Sequence, residues 1–111
     1  MKRIERIAGS MVFNDLETEK TFSIYNNGHM TDVAVVMPNF DNPVTGTLTI
    51  EDEDGVVLYT KANIAENATT IVNSLSVPVD TNYVGRLVLS GAAGGTGGTV
   101  SAKIWVDTGR K

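Results

Sequence analysis

Short segments in which apolar and polar residues alternate constrain the fold of this chain more than any other feature. Between positions 98 and 107 every second residue is apolar, namely Val100, Ala102, Ile104 and Val106. A period of two places these side chains on one face of an extended strand and leaves Trp105, with polar neighbours, on the other. This segment therefore predicts a half-buried β-strand.

The same alternation recurs between turn residues along the chain. Residues 46–51 and 56–60 flank Asp54-Gly55, and a glycine accepts the positive φ of a tight turn, so they predict a hairpin. Residues 20–26 and 31–37 predict a second hairpin around Asn26-Asn27-Gly28. Residues 83–90 lead through a glycine-rich stretch into the last strand, which predicts a third hairpin with a flexible tip. Residues 68–77, rich in β-branched side chains and closed by Pro78, favour one more strand.

Seven or eight such strands predict an all-β fold, with at most one helical turn at 62–67. Each strand has one apolar face to bury, so we expect a two-sheet antiparallel sandwich of the jelly-roll type. A single domain is expected over residues 1–111, because two smaller pieces would each bury too little apolar surface. The predicted core comprises Leu48, Ile50, Leu87, Leu89, Val100, Ile104 and Val106.

The first thirteen residues carry a mixed pattern, with helical spacing at the start and strand-like alternation from Ser10 onwards. We interpret residues 1–13 as either an N-terminal arm or an edge strand. Their apolar side chains would be hard for a lone small domain to cover. A partner subunit is therefore predicted to contact them, and also Trp105, unless a loop or the second sheet covers that tryptophan. The candidate interface residues are Ile4, Ile7, Met11, Phe13 and Trp105.

Composition argues against several classes of function. Nine Lys and Arg against thirteen Asp and Glu give a net charge of −4, and basic residues gather only at the two termini, so nucleic-acid binding is not expected. No window approaches the roughly 20 apolar residues of a membrane span, and no signal-peptide core follows Met1. Without cysteine the chain has no disulfide and no thiolate nucleophile.

The residues that usually carry chemistry are isolated. His29 is the only histidine, in a predicted turn, without a second metal ligand or an adjacent nucleophile. The acidic run 51–54 lacks the completing ligands of a calcium loop and reads as a solvated turn. The glycine-rich run 91–98 lacks the lysine and the following helix of a phosphate loop. We therefore expect no catalytic residue, no cofactor and no tightly held metal.

The cysteine-free chain, the Asp-Gly hairpin turn and the run Gly-Ala-Ala-Gly-Gly-Thr-Gly-Gly-Thr-Val before the closing strand resemble small structural proteins of tailed bacteriophages. The resemblance is greatest to capsid decoration, or cement, proteins. It implies a β-rich subunit, made in the host cytoplasm, that binds the major capsid protein or another virion protein on the capsid exterior. It also implies a homo-oligomer, with a trimer favoured. A small tail or head-fibre component fits equally well, and no functional residue is transferred.

Three classes of function remain, and the resemblance favours the first: a virion structural protein, a ligand- or carbohydrate-binding module, or an enzyme. A structural subunit needs no preformed pocket. A sugar-binding module would gather aromatic side chains into a platform, whereas an enzyme would gather titratable groups with shifted pKa values. The candidate platform residues are Trp105, Tyr25, Tyr59 and Tyr83.

Overall fold

The computed structural model describes residues 4–109, which form β-strands joined by turns and loops and contain no helix. The strands are β1 (Ile4–Phe13), β2 (Glu19–Ser23), β3 (Gly28–Met37), β4 (Thr45–Glu51), β5 (Val57–Ala65), β6 (Ala68–Val72), β7 (Val77–Val79), β8 (Val84–Leu89) and β9 (Gly98–Asp107).

The strands form two sheets in the order of a jelly roll. The five-stranded sheet has the order β1-β9-β3-β6, with β7 also paired to β3, and the four-stranded sheet has the order β2-β8-β4-β5. The chain passes repeatedly from one sheet to the other, and only β4 and β5 are consecutive strands that pair as a hairpin. This pattern is the double Greek key of a jelly roll. The predicted antiparallel two-sheet sandwich is confirmed.

The strand count exceeds the predicted seven or eight because one strand position is divided. β6 pairs with Val33–Met37 and β7 with Gly28–Met30, so both lie along the same side of β3. Residues 73–76 separate them, and Ser74 there has a φ of 61°. Pro78 lies inside β7 at the sheet edge, where proline is tolerated.

Two of the three predicted hairpins are wrong. β2 pairs with β8 while β3 pairs with β9, so the segment around Asn26-Asn27-Gly28 crosses between the sheets. β8 and β9 likewise lie in different sheets. Alternation indicates which face of a strand is buried but not which strand lies beside it. A short polar connection can join two strands of one hairpin or two strands in different sheets. The suggested helical turn at 62–67 is also absent, since β5 continues to Ala65.

The predicted core residues all lie between the two sheets. Leu48, Ile50, Leu87, Leu89, Val100, Ile104 and Val106 are each at most 3% exposed, which confirms their assignment. Phe22 joins this core beside Gly9 and Gly85, where a Cβ would overlap its ring. These glycines therefore make room for a large aromatic side chain, as close packing requires.

The glycine-rich connection between β8 and β9 is packed, which corrects the expectation of a flexible tip. Ala93 is fully buried, and its carbonyl accepts a hydrogen bond of 3.0 Å from the N–H of Asn42. The N–H of Gly94 donates to the Asp15 carbonyl at 2.9 Å. A Cβ on Gly95 would overlap the Asp41 carboxylate. The glycines thus allow three loops to approach closely at one end of the sandwich.

Candidate interaction surface

The structure separates the five residues predicted to contact a partner. Ile7, Met11 and Phe13 are fully buried in the core, because β1 is a complete strand whose alternate side chains point inward. The expectation that they are exposed is corrected. Ile4, which is 44% exposed, and the half-buried Trp105 lie at the surface and remain candidates. The part of segment 1–13 before Ile4 lies outside the described residues.

Trp105 lies on the outward side of the five-stranded sheet. The register places it between Arg6 of β1 and Asp32 of β3. The next row across the strands consists of Ala8, Lys103, Ala34 and Ile71. The row beyond consists of Ser10, Ser101, Val36 and Thr69. We call these three rows the Trp105 face.

Two shallow depressions open on or beside the Trp105 face and meet at Asp32. The first has a volume of about 220 Å³ and is lined by Asp32, Ala34, Ile71, Asn73 and Trp105. The second has a volume of about 420 Å³ and is lined by Ile4, Thr31, Asp32, Ser74 and Leu75. In the first, Ala34 is only 7% exposed whereas Ile71 is 61% exposed, so a small residue lies beside a projecting one.

Irregular strand pairing accompanies these depressions. The register between β3 and β9 shifts between Met30 and Asp32, which leaves Thr31 as a bulge. The Thr31 hydroxyl donates to the Asp32 carboxylate at 2.9 Å. The backbone carbonyl of Thr31 accepts a hydrogen bond from the Leu75 N–H at 2.8 Å. The bulge is therefore tied to the break between β6 and β7. Bulges redirect side chains and are frequent beside functional sites.

The outward side of the four-stranded sheet carries a central cluster of charged side chains, and we call it the Arg86 face. Arg86 of β8 donates from Nε to Glu51 Oε2 at 2.8 Å, and from Nη1 to Glu19. The Thr49 hydroxyl donates to the same Glu51 oxygen at 2.8 Å. The hydrogen bonds from Arg86 and Thr49 lower the pKa of Glu51, and the Glu51 bond raises the pKa of Arg86. The charges of this face are thus paired within the chain.

The other residues considered for chemistry are not brought together. His29 is exposed at the start of β3 rather than in the predicted turn. Within residues 4–109 no three His, Asp or Glu side chains form a group that could hold a metal ion. The Asp52 carboxylate accepts the N–H groups of Asp54 and Val56, both at 2.9 Å, so it builds the β4–β5 turn. Between positions 4 and 109 no helix is long and apolar enough to span a membrane.

The four aromatic candidates for a sugar platform lie apart. Trp105 is on the outward side of the five-stranded sheet, whereas Tyr59 of β5 and Tyr83 beside β8 pack against the core. Tyr25 is exposed in the connection between β2 and β3. Alternation along β9 identified Trp105, but its neighbours Ala34, Ile71 and Asn73 were missed because they lie on other strands or at their ends. Two features of the sequence could have indicated them: the position of Ile71 in the alternating pattern, and the polar pair Asn73-Ser74, which interrupts the predicted strand 68–77.

No protein-family model and no curated protein matches the chain, but solved structures share its fold. A chain from the cyanophage Pam1 capsid asymmetric unit matches with a TM-score of 0.63 and 18% identity over 96% of this chain and 85% of that one. A chain from the capsid of Helicobacter pylori bacteriophage KHP30 gives 0.55 and 15%, over 96% and 93%. The lectin binding domain of lectinolysin, in a complex with Lewis b, gives 0.52 and 10%, over 95% and 92%.

At these identities the similarity shows the fold alone. This chain shares its fold with chains from two phage capsids and with a lectin binding domain. The resemblance to β-rich structural proteins of bacteriophages, stated from the sequence, therefore agrees with the structural comparison at the level of fold.

Proposed function

We propose that this protein is a structural component of a bacteriophage virion that binds the outer surface of the capsid through the Trp105 face. The observation that carries the proposal is the chemistry of that face, where apolar side chains are exposed around the one tryptophan of the chain on a hydrogen-bonded sheet. The jelly-roll fold shared with phage capsid chains and the sequence resemblance to decoration proteins support it.

The Trp105 face has the layout of a protein-binding surface. Ile71 and Val36 project from it, and the depression above Ala34 lies between Ile71 and Trp105. Arg6 and Asp32 flank the tryptophan and supply polar groups at its sides. Tryptophan and arginine are enriched among residues that dominate binding energy, and an apolar centre with a polar rim is the usual arrangement. In the proposed complex, the depression accepts an apolar side chain of the major capsid protein.

The proposed role requires no catalysis. The protein acts by covering joints between shell subunits, on the capsid exterior, after synthesis in the host cytoplasm. Burying the exposed parts of Ile71 and Trp105 contributes less for each side chain than the roughly 1.5 to 3 kcal/mol of a fully exposed one, before association entropy is subtracted. Modest affinity for each copy is sufficient when many copies, associated as a homo-oligomer, bind one symmetric shell.

Co-sedimentation with expanded capsids of the phage that encodes the protein tests this proposal. Trp105→Ala is expected to weaken binding by at least about ten-fold, because it removes the largest apolar side chain of the face. Tyr25→Ala removes an exposed aromatic side chain elsewhere and is the matched control, expected to bind as the natural chain does. Equal binding by the Trp105 variant would exclude this face. Absence of binding by the natural chain to capsids and tails would exclude the virion role.

A ligand-binding function is the second candidate, favoured by the residues lining the smaller depression. An indole, the Asp32 carboxylate and the Asn73 amide are groups that stack on a sugar ring and hydrogen-bond to its hydroxyls. The three tyrosines lie elsewhere, so such a site would depend on one aromatic side chain. A glycan array distinguishes the two functions: saturable binding that is lost in Asp32→Asn, without capsid binding, supports the lectin-like role.

A further inference from the structure

Three of the four sheet edges carry features that oppose strand addition. β5 has two register shifts against β4 and holds Asn63 at a φ of 58°. The β6/β7 edge is divided at Ser74 and contains Pro78. β2 is only five residues long and begins with Glu19 and Lys20. Short length, bulges, charge and proline are the usual means by which proteins keep exposed edges from pairing with other chains.

The β1 edge lacks these features apart from the charges of Glu5 and Arg6. β1 has ten residues and pairs with β9 without a shift from Ile4 opposite Asp107 to Phe13 opposite Gly98. It contains no proline and no residue at positive φ. Within the described part of the chain, no strand pairs with its other side. A long regular edge of this kind presents backbone N–H and C=O groups to an added strand.

The outward side chains of β1 are arranged symmetrically about Ala8. Ile4 and Val12 lie at equal distances before and after Ala8 on the same face, and they are 44% and 64% exposed. If a second copy of β1 runs antiparallel with Ala8 opposite Ala8, each Ile4 faces a Val12 and each Arg6 faces a Ser10. Opposed apolar pairs stabilise a sheet, whereas directly opposed like charges destabilise it. Registers centred on Glu5 or Arg6 would oppose like charges.

We propose that two copies of this chain associate through antiparallel pairing of β1 about Ala8. The resulting dimer has two-fold symmetry, and its five-stranded sheets join into one sheet that spans both copies. Directly opposed residues in such a pair point to the same side of the sheet, so both Trp105 faces are presented in the same direction. The dimer would supply the self-association that the proposed function includes. Its formation does not depend on that function, because it requires no capsid.

Cysteine substitution tests the register, because the natural chain contains no cysteine. Directly opposed residues have Cα atoms about 4.5 to 5.5 Å apart, within the range that a disulfide spans. Ala8→Cys is therefore expected to form a disulfide-linked dimer under mild oxidation. Ser10→Cys is the matched control and should not link, since it faces Arg6. Ile4→Cys and Val12→Cys should each remain unlinked alone and give a linked dimer when mixed.

A charge substitution tests the edge itself. The double variant Ile4→Lys and Val12→Lys places like charges into the proposed pairing at exposed positions, so the melting temperature should change by only a few degrees. Its dimer dissociation constant, measured by sedimentation equilibrium, should rise by at least about ten-fold. Val57→Lys changes a similarly exposed position on the bulged β5 edge and should leave the constant unchanged.

The proposal is overturned if Ala8→Cys links no better than Ser10→Cys, or if the double lysine variant associates as the natural chain does. A trimer in which Ala8→Cys remains unlinked overturns it as well. Capsid co-sedimentation separates this failure from that of the proposed function. A natural chain that dimerises through β1 without binding capsids leaves the inference intact and removes the virion role. Capsid binding that depends on Trp105, by a chain without β1 pairing, does the reverse.

Discussion

The Trp105 face and the Arg86 face cover two sheets of one sandwich with different chemistry. On the Arg86 face, Arg86 is hydrogen-bonded to Glu51 and Glu19, so the charges are paired within the chain. On the Trp105 face, Ile71 is 61% exposed and Trp105 is half-buried. A monomer gains nothing from exposed apolar side chains, whereas a subunit with a partner does. The Trp105 face is therefore the side that we propose to bind.

The inner strands β3 and β8, one from each face, also differ in backbone regularity. β3 carries the Thr31 bulge, and the neighbouring strand position is broken at residues 73–76, beside the Trp105 face. On the Arg86 face, β8 pairs with β2 and β4 without a shift. Regular pairing aligns Arg86 opposite Thr21 and Thr49, while irregular pairing opens depressions. The irregular pairing of β3 thus coincides with the depressions on and beside the Trp105 face.

The largest effect is expected in the core that supports both faces. Leu89→Ala removes a buried side chain and should lower the free energy of unfolding by about 2 to 5 kcal/mol, because the cavity is only partly refilled. Urea denaturation followed by circular dichroism measures it. A loss below about 0.5 kcal/mol would mean that this face of β8 is not packed as described.

One positive charge placed on each face tests which of the two faces binds the capsid. Ile71→Lys on the β6 edge should weaken capsid binding by about ten-fold or more, since it replaces an exposed apolar contact with a charge. Thr60→Lys on the β5 edge carries the same charge on the Arg86 face and should bind as the natural chain does. Surface plasmon resonance on immobilised capsids measures both. Equal losses would show that both faces bind, and the comparison would fail.

Strand positions and the core could be predicted because the alternation of apolar and polar residues within a strand indicates which of its side chains are buried. The β4–β5 hairpin was also predictable, since Asp52 and Gly55 build its turn from residues within the turn itself. Residues 1–13 were harder to interpret. The inward positions of β1 include Glu5 and Gly9, which interrupt the apolar pattern of Ile7, Met11 and Phe13. Gly9 is explained only by Phe22, a residue on the other sheet.

The crossovers and the candidate surface depend on contacts between distant parts of the chain. The loop 90–97 is fixed by Asp15 and Asn42, which no local pattern connects to it. Trp105 becomes part of a surface only because β3 and β6 bring Asp32, Ala34 and Ile71 beside it. The sequence therefore predicts which residues point outward on each strand, and the fold decides which of them meet.

The smallest effect is expected on the Arg86 face and depends on pH. Glu51→Gln keeps the shape of the side chain but removes the charge that accepts hydrogen bonds from Arg86 and Thr49. At pH 7 it should lower the free energy of unfolding by about 1 kcal/mol, because Glu51 is buried but its partner Arg86 is about one-third exposed, and solvent weakens the charge-assisted bond. Capsid binding should be unchanged, since this face is not the proposed contact.

The sign of the pH dependence follows from the lowered pKa of Glu51. Its ordinary pKa is 4.5, and the hydrogen bonds from Arg86 hold the folded-state value below that. The stabilisation is therefore present above pH 4.5 and is lost as the pH falls through the folded-state pKa. The stability difference between the natural chain and Glu51→Gln should shrink over the same range, because acid neutralises Glu51 in the natural chain. Glu53→Gln, at an exposed turn position, is the control. A difference that stays constant down to pH 2 would show that the charge of Glu51 does not cause the difference.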